Sequence, residues 1–519
     1  MIHLLHDAWI PVVRENGESD FIAPHQITSN YDTNPVIELN ASRPDFNGAL
    51  IQFLIGLVQT ACPPRSDREW TERFTNIHSS DELWQLFAPF AEAFHLEGEG
   101  CRFMQDLSVR ENGDLIPIRN MLIEYPASRD MFVKSRLINN VCPVCAGYAL
   151  LTFQINGPPS GRGHMTGIRG SSPVTCVIPD STLWNTINMN VIPQQKWPHY
   201  EKPDLANLQL IFPWLKKRTD NDVITSTLVQ SHPLQVFWGM PNRFFLDIED
   251  SDVFSCDLCG RTSNRAVKKF FRKPYGISYD ETWSIHPLSP HRLIKEKNLP
   301  VKLKSNLITY RHYPNFTNLY KSEKSSPALN ITHFYDAKFN LRKNSKKFSV
   351  WVFGYDMDNA KAQCWCECTL PIYEHLNDKS REIFESCVNN LVHTSEYVLQ
   401  TLSSAIKSVL SGKDPGEITD RFWKETEPRF FDALDNIYPV LDKPVEIDQI
   451  KRTWLEFLRN QAKSLFDQYT QTELILDISK AEKIIKERRN LLIFTGKNTK
   501  KVISLLGLLM NDSKKEKKP

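Results

Sequence analysis

Two C-x-x-C pairs, Cys142/Cys145 and Cys256/Cys259, constrain this 519-residue chain more than any other feature. A pair of thiols spaced this way offers two ligands to one ion, and two pairs supply the four thiolates of a tetrahedral zinc site. With every position taken by protein sulfur, none is left for water or substrate, so such a site holds structure and performs no chemistry. The spacer is roughly 110 residues, against about 15–20 in a compact zinc ribbon. One shared ion would therefore staple two distant loops. Spacing alone leaves two other readings open: a redox C-x-x-C beside an unrelated pair, and four unligated thiols. Cys259-Gly260 is a common knuckle ending, and no βαβ pattern of a thioredoxin-like fold surrounds Cys142.

The compartment matters to that choice. The start, MIHLLHDAWIPVV, has neither a basic region nor an apolar core of a secretion signal, and Asp7 and Pro11 interrupt it. No run reaches the roughly 18 apolar residues of a spanning helix. A soluble, cytoplasmic protein without a membrane partner is expected, in which the eleven cysteines stay reduced. The formal charge is only +2, but it is unevenly spread: residues 261–347 carry 19 Lys and Arg against 5 Asp and Glu, and the rest carries 44 against 56. Segregation of this size points to a basic surface for a polyanion, nucleic acid before others.

At 519 residues the chain is too long for one core. The pattern predicts an α+β protein: a mixed N-terminal domain over 1–374 with a zinc-stapled loop region, then an antiparallel four-helix bundle over 375–519 with a basic, disordered tail. Within the first domain, Ala49, Leu50, Phe53, Leu54, Leu57 and Val58 predict a helix over roughly 45–60, ended by Pro63-Pro64. Residues 347–373 read as two strands joined at an Asp356–Lys361 tip, with Cys364, Cys366 and Cys368 alternating on one face. A C-x-C-x-C metal site is conceivable there; buried strand thiols are the plainer reading. Beyond 375, Phe384, Val388, Leu391, Ser395, Val398, Leu402, Ala405 and Val409 mark a long helix stopped by Gly412. A second helix runs from Glu417 to Tyr438 with a break at Pro428, a third carries Ile447 through Tyr469, and a fourth spans roughly 478–495.

Residues 154–175 crowd Gly157, Gly161, Gly163, Gly167 and Gly170 into one loop. Such density lets backbone N–H groups approach phosphates or bases, yet no Gly-Lys-Ser/Thr follows and no strand–helix frame makes a dinucleotide fingerprint. His164 has no sequence partner, and no nucleophile elbow, metalloprotease or helicase signature is present. A non-catalytic protein is expected. A zinc-stapled nuclease or nucleotide-processing enzyme and a protein-only scaffold are the alternatives.

LLHDAWIPVV, the first knuckle, GRGHMTGIRGSSPVT, the second knuckle and GYDMDNAKAQCW follow in this order, before a helical final third. That order resembles the CasA family, the large subunit of the type I-E CRISPR surveillance complex Cascade, over nearly the whole chain. The resemblance implies a non-enzymatic subunit that reads the protospacer-adjacent motif (PAM) of duplex DNA from the minor-groove side and starts strand opening and R-loop formation in antiviral defence. It implies several partners: the guide RNA 5′ end, the backbone and small subunits, and a helicase–nuclease that docks to degrade the target. Motif by motif, it places DNA contacts on Ser160, Gly161, Arg162 and Gly163, and a strand-splitting wedge on Asp358, Asn359 and Ala360. It places a minor-groove lysine at Lys273, or Arg272 one position away, and a guide- or PAM-facing loop at Phe132, Val133 and Lys134. The same resemblance puts Cys142, Cys145, Cys256 and Cys259 around one structural zinc.

Overall fold

The computed structural model describes residues 1–125, 137–159, 161, 163–198, 200–218, 223–283, 285–294, 297–303, 308–317, 325–337, 348–358, 361–374, 377–410, 416–476 and 480–508, with 472–476 by backbone alone. The chain forms two compact units. One comprises Met1–Asn306 and Lys321–Ile372; the other comprises Leu307–Tyr320 and Tyr373–Pro519.

The first unit is organised around the helix Pro44–Ala61. Pro44 occupies the first turn, where its missing N–H costs nothing, and Asp45 there complements the helix dipole. The apolar spacing predicts one buried stripe, but Asp45, Phe46 and every residue from Gly48 to Thr60 are buried. The polar groups so enclosed are satisfied: Gln59 Nε2 donates to Ile192 O at 2.9 Å and its Oε1 accepts from Ile192 N–H at 2.7 Å, while Thr60 Oγ1 donates to Gly56 O at 2.7 Å. Phe53 lies amid Trp9, Phe94, Phe103 and Trp238, with ring centroids 5.4–5.9 Å away and each pair edge-to-face. Gly48 and Gly56 leave room for the Trp365 ring and the Phe237 side chain, which a Cβ would meet at 2.7 and 2.9 Å.

Small sheets surround this helix. Ile10–Arg14 pairs antiparallel with Ser19–Ile22 and Val36–Leu39. The hairpin Arg243–Ser255/Thr262–Lys273 takes Asp114–Pro117 on its second strand, and the hairpin Phe348–Asp358/Lys361–Ile372 takes Thr175–Val177 on its first. The strands of the latter hairpin continue to Asp358 and Lys361, so Asp356 and Met357 belong to the ladder and the tip is narrower than expected. A helix not expected from the sequence, Pro143–Asn156, starts inside the first knuckle. Among the described residues, no helix is long and apolar enough to cross a membrane.

The second unit contains the helices Asp378–Val409, Gly416–Ile437, Pro444–Leu476, Ala481–Phe494 and Lys500–Leu506. Asn377 caps the first through its side-chain oxygen, which accepts from Ser380 N–H at 2.8 Å. The expected break at Pro428 does not occur; the helix runs through it. Pro428 lies on the exposed side, where water can satisfy the carbonyl it leaves unbonded. The buried side is held by Tyr310, which stacks on Phe430 at 4.4 Å and shares a 2.9 Å hydrogen bond with Thr426. Trp454 Nε1 donates to Leu391 O at 3.3 Å, and Arg488 makes a bidentate pair with Asp467 at 2.6 and 2.9 Å. Phe53→Ala is expected to destabilise the first unit by about 3–5 kcal/mol without shifting unfolding of the helical unit, as read by differential scanning calorimetry.

Candidate metal centre and nucleic-acid interface

The backbone brings the two knuckles together before any ion is considered. Cys142 is the extended N-cap of Pro143–Asn156, and Cys145 falls in its first turn, where the dipole favours a thiolate. Cys256 and Cys259 form the tip of the Arg243–Lys273 hairpin: Cys256 N–H donates to Arg261 O at 2.9 Å, Gly260 N–H donates to Cys256 O at 2.8 Å, and Gly260 takes the left-handed φ of +71° that closes the turn. Val141 and Val267 exchange two backbone hydrogen bonds, at 3.2 and 2.8 Å. The Asp257 carboxylate accepts from Asn139 and Asn140 N–H at 2.7 and 2.8 Å, and its own N–H donates to Asn140 O at 3.0 Å.

The four sulfurs all lie within 4.8 Å of one another. Cys142 Sγ and Cys259 Sγ are 3.9 Å apart, close to the edge of about 3.8 Å of a tetrahedron with metal–sulfur bonds of about 2.3 Å. The four thiols share hydrogen bonds and compete for protons. Hydrogen bonds from Cys142 and Cys145 favour the thiolate at Cys256, far below the usual thiol range, and bring Cys259 to about 7. Cys142 N–H also donates to Cys256 Sγ at 3.2 Å. At Cys142 the hydrogen bond with Cys145 pulls the pKa down, but those with Cys256 and Cys259 outweigh it. Hydrogen bonding to Cys142, Cys256 and Cys259 holds the proton on Cys145. A single tetrahedral ion fits, and a closed set of four sulfurs leaves it no open position.

A second constellation lies on the glycine-rich segment. Gly163 O accepts from Tyr275 N–H at 2.7 Å, and a Cβ on Gly163 would approach Pro274 and the Tyr275 ring at 3.0–3.1 Å. The loop is thereby fixed to the end of the strand carrying Arg272 and Lys273. Gly161 is exposed at φ +121°, and the nearest atom to a Cβ there is in His164, at 3.8 Å. Lys273 is half-buried with Nζ 3.4 Å from Ser108 O; Arg272 is half-buried, and its Nε has no partner among the described residues. Burial, then the Arg272 charge, depresses His164 to about 4. Elsewhere in the basic stretch Arg265 is neutralised by Glu97 at 2.6 Å and Lys297 by Glu281, whereas Lys268 and Lys269 are exposed.

The other end of the glycine-rich segment supports the Phe348–Ile372 hairpin. Ser172 Oγ donates to Tyr355 O, and Gly354 passes Pro173 so closely that a Cβ would lie 2.7 Å from its carbonyl oxygen. Tyr355 OH donates to Asp45 at 2.6 Å; Asp45 pairs with Arg43 at 2.9 Å, and Arg43 with Glu124 at 2.6 Å. Asp358 is exposed at the hairpin's end, opposite Lys361. Ser160, Arg162, Asn359, Ala360, Phe132, Val133 and Lys134 lie outside the described residues.

A family model, CRISPR-associated protein Cse1, matches residues 3–465. The chain belongs to the Cse1 family. Thermobifida fusca Cse1 has the same fold at a TM-score of 0.69 and 13% identity, with 98% of each chain covered. CasA from Thermus thermophilus follows at 0.68 and 16%, over 95% of this chain and 99% of that one. A chain of a CRISPR RNA-guided surveillance complex superposes at 0.64 and 13%, over 95% and 99%. One Thermus structure carries both names, CasA and Cse1, so the CasA-type type I-E large subunit expected from the motifs and the family found are the same.

In this Cse1-family chain, sequence reasoning passed over Asp257, Tyr275 and Ser172. The turn-forming Lys273-Pro274-Tyr275-Gly276 was the available signal for Tyr275, which adopts φ +62°. Gly354→Ala is expected to cost about 1–3 kcal/mol by overpacking and to raise hydrogen exchange along Val350–Tyr355. His164 is neutral in the fold down to about 4 but protonates near 6.5 when unfolded, so its contribution is full above 6.5 and is lost as pH falls toward 4. His164→Gln should flatten the pH dependence of stability within that window, read from urea midpoints.

Proposed function

We propose that this chain is a non-catalytic PAM-reading and duplex-opening subunit of an RNA-guided complex. The observation that carries the reading is the Tyr275–Gly163 hydrogen bond, which ties the glycine-rich segment, with Gly161 exposed, to the end of the strand carrying Arg272 and Lys273. Such a surface suits the minor groove: backbone approaches the base edges closely, cations meet the phosphates, and the groove's degenerate code tolerates related motifs. Base pairing to the guide then reads the rest of the sequence. Glycine at 161 and 163, with Ser160 and Arg162 beside them, forms the reading loop, and Lys273 is the minor-groove cation once it leaves Ser108 O.

The Asp358–Asn359–Ala360 tip acts as the wedge. Unstacking a base step costs a few kcal/mol, so the wedge needs a firm base, and the Ser172–Tyr355 and Tyr355–Asp45 bonds supply one. Phe132, Val133 and Lys134 face the guide RNA or the PAM. Four of the C-terminal helices form an antiparallel bundle that meets the small subunits, and the helicase–nuclease docks on this subunit. Cys142, Cys145, Cys256 and Cys259 hold zinc, which supplies a cross-link between the knuckles and no reaction. The site of action is the cytoplasm.

The test is a binding and strand-opening assay with the remaining guide-RNA complex, with and without this chain. Two targets match the guide equally and differ only in the flanking motif. Tight binding and opening on one flank only, and only with the chain present, is the expected result; indifference to both overturns the reading. Lys273→Ala should weaken binding evenly across sequences and reduce the slope of log K against log salt by about 1. Asn359→Ala should lower opening more than nonspecific binding, and equal losses would remove the wedge role. Cys142→Ser or Cys256→Ser should lose zinc by elemental analysis and lower the melting temperature; unchanged values would refute the shared ion.

A further inference from the structure

The three alternating cysteines are not used by the reading above. On one face of the Phe348–Ile372 hairpin, successive cross-strand pairs are Val352–Cys368, Gly354–Cys366 and Asp356–Cys364. Opposed residues project from the same side of a sheet, so the cysteines share it as their alternation requires. The intervening Trp365 is on the other face, packed on Tyr355, Phe353 and Gly48.

Cys364 Sγ and Cys366 Sγ are 3.4 Å apart. Cys366 is buried opposite a glycine, so no side chain intervenes across the ladder, while Cys364 is half-buried and reachable. Asp356, enclosed by the fold at 5% exposure, stands opposite Cys364. Among the described residues, the set of three or more metal-ligand atoms that gathers within 4.8 Å is the four-cysteine centre, and Cys364 and Cys366 are not in it. Two thiols in contact, one reachable and one sheltered, make an attacking and resolving pair.

We infer that Cys364 and Cys366 are a redox-active dithiol that closes to a disulfide on reaction with a low-molecular-weight disulfide such as oxidised glutathione. The Cys364 thiolate attacks one glutathione sulfur; the glutathione S–S bond breaks, a mixed disulfide forms, and one glutathione leaves as thiolate and is protonated by solvent. Cys366 then gives its proton to water and attacks Cys364 Sγ as thiolate, and the second glutathione leaves as thiolate and is protonated by solvent. Two thiols are oxidised and one disulfide is reduced to two thiols, so the exchange balances. The hydrogen bond from Cys366 favours the Cys364 thiolate. Alternate residues of a strand have Cα atoms about 6.6–6.8 Å apart, at the upper limit of disulfide reach. Closure therefore puckers the strand at Trp365, close to the Asp358–Lys361 end of the hairpin.

The experiment exposes the full-length protein, C364S and C366S to oxidised glutathione, quenches in acid and maps thiols by mass spectrometry. Cys101, a half-buried thiol whose hydrogen-bond partner is Leu215 O, is the internal reference in each digest. The wild type should gain a dithiothreitol-reversible Cys364–Cys366 bridge at least about tenfold faster than Cys101 takes up glutathione. C366S should hold glutathione stably on Cys364, and C364S should show no adduct at Cys366. A wild-type pair that reacts no faster than Cys101, or bridges instead to Cys142, Cys145, Cys256 or Cys259, overturns the inference. So does a C366S protein with an unmodified Cys364. The wild-type comparison needs neither variant to fold, and none of these readouts depends on DNA binding.

Discussion

The pairing of Asn139–Val141 with the Cys256 hairpin is the constraint on which the site depends. Two segments separated by more than a hundred residues are joined by the Val141–Val267 exchange and by Asp257, whose carboxylate collects two N–H groups. Loop-closure entropy rises only slowly with length, so the long spacer is a modest obstacle once these bonds form. The sulfurs then arrive within ligand distance on backbones already positioned: one at a helix start, the other at a strand turn. An ion in that setting reinforces an architecture that the backbone has drawn together.

From this anchor the geometry propagates to the glycine-rich segment. The segment leaves the C-terminal end of the knuckle helix, is fixed by Tyr275 at Gly163, and is fixed again at Ser172–Pro173 against the second hairpin. A flexible composition is thus suspended between two rigid ladders. Glycine serves there as permission for close approach: 163 against a proline and a tyrosine ring, 167 against the carbonyls of the helix end, 161 toward solvent. The buried Arg43–Asp45–Tyr355 chain ties the second ladder to the central helix, so both ladders answer to the same core.

What could be read in the sequence follows from where the forces lie. The central helix and the 348–372 hairpin announced themselves because their periodicity is local and continuous. The knuckle helix did not, because burial on nearly every side leaves Val144 to Phe153 without a polar face to alternate with. Pro428 misled for a related reason: its local propensity is overridden by Tyr310, a partner more than a hundred residues away. The four thiols were legible as ligands by type and spacing, and their convergence by resemblance. The bonds that enforce it are the Val141–Val267 backbone exchange, to which residue identity is nearly silent, and the Asp257 carboxylate, whose partners lie more than a hundred residues away. Gly163 and Lys273 were each visible as candidates, but their proximity depends on Tyr275 accepting a left-handed conformation, a matter of tertiary fit.

The segment Leu307–Tyr320 belongs to the helical unit although it interrupts the first one in sequence. Its Tyr310 is completely enclosed, against Phe430, Trp423 and Trp454. During synthesis these partners emerge well over a hundred residues after Tyr310 does. At about 5–20 residues per second, that interval is on the order of ten seconds. For that time a strongly aromatic stretch, Tyr310 to Phe316, leaves the ribosome with its pocket not yet made. The helical unit is therefore assembled backwards onto a segment that has been waiting for it, and its completion is tied to helices translated long after that segment.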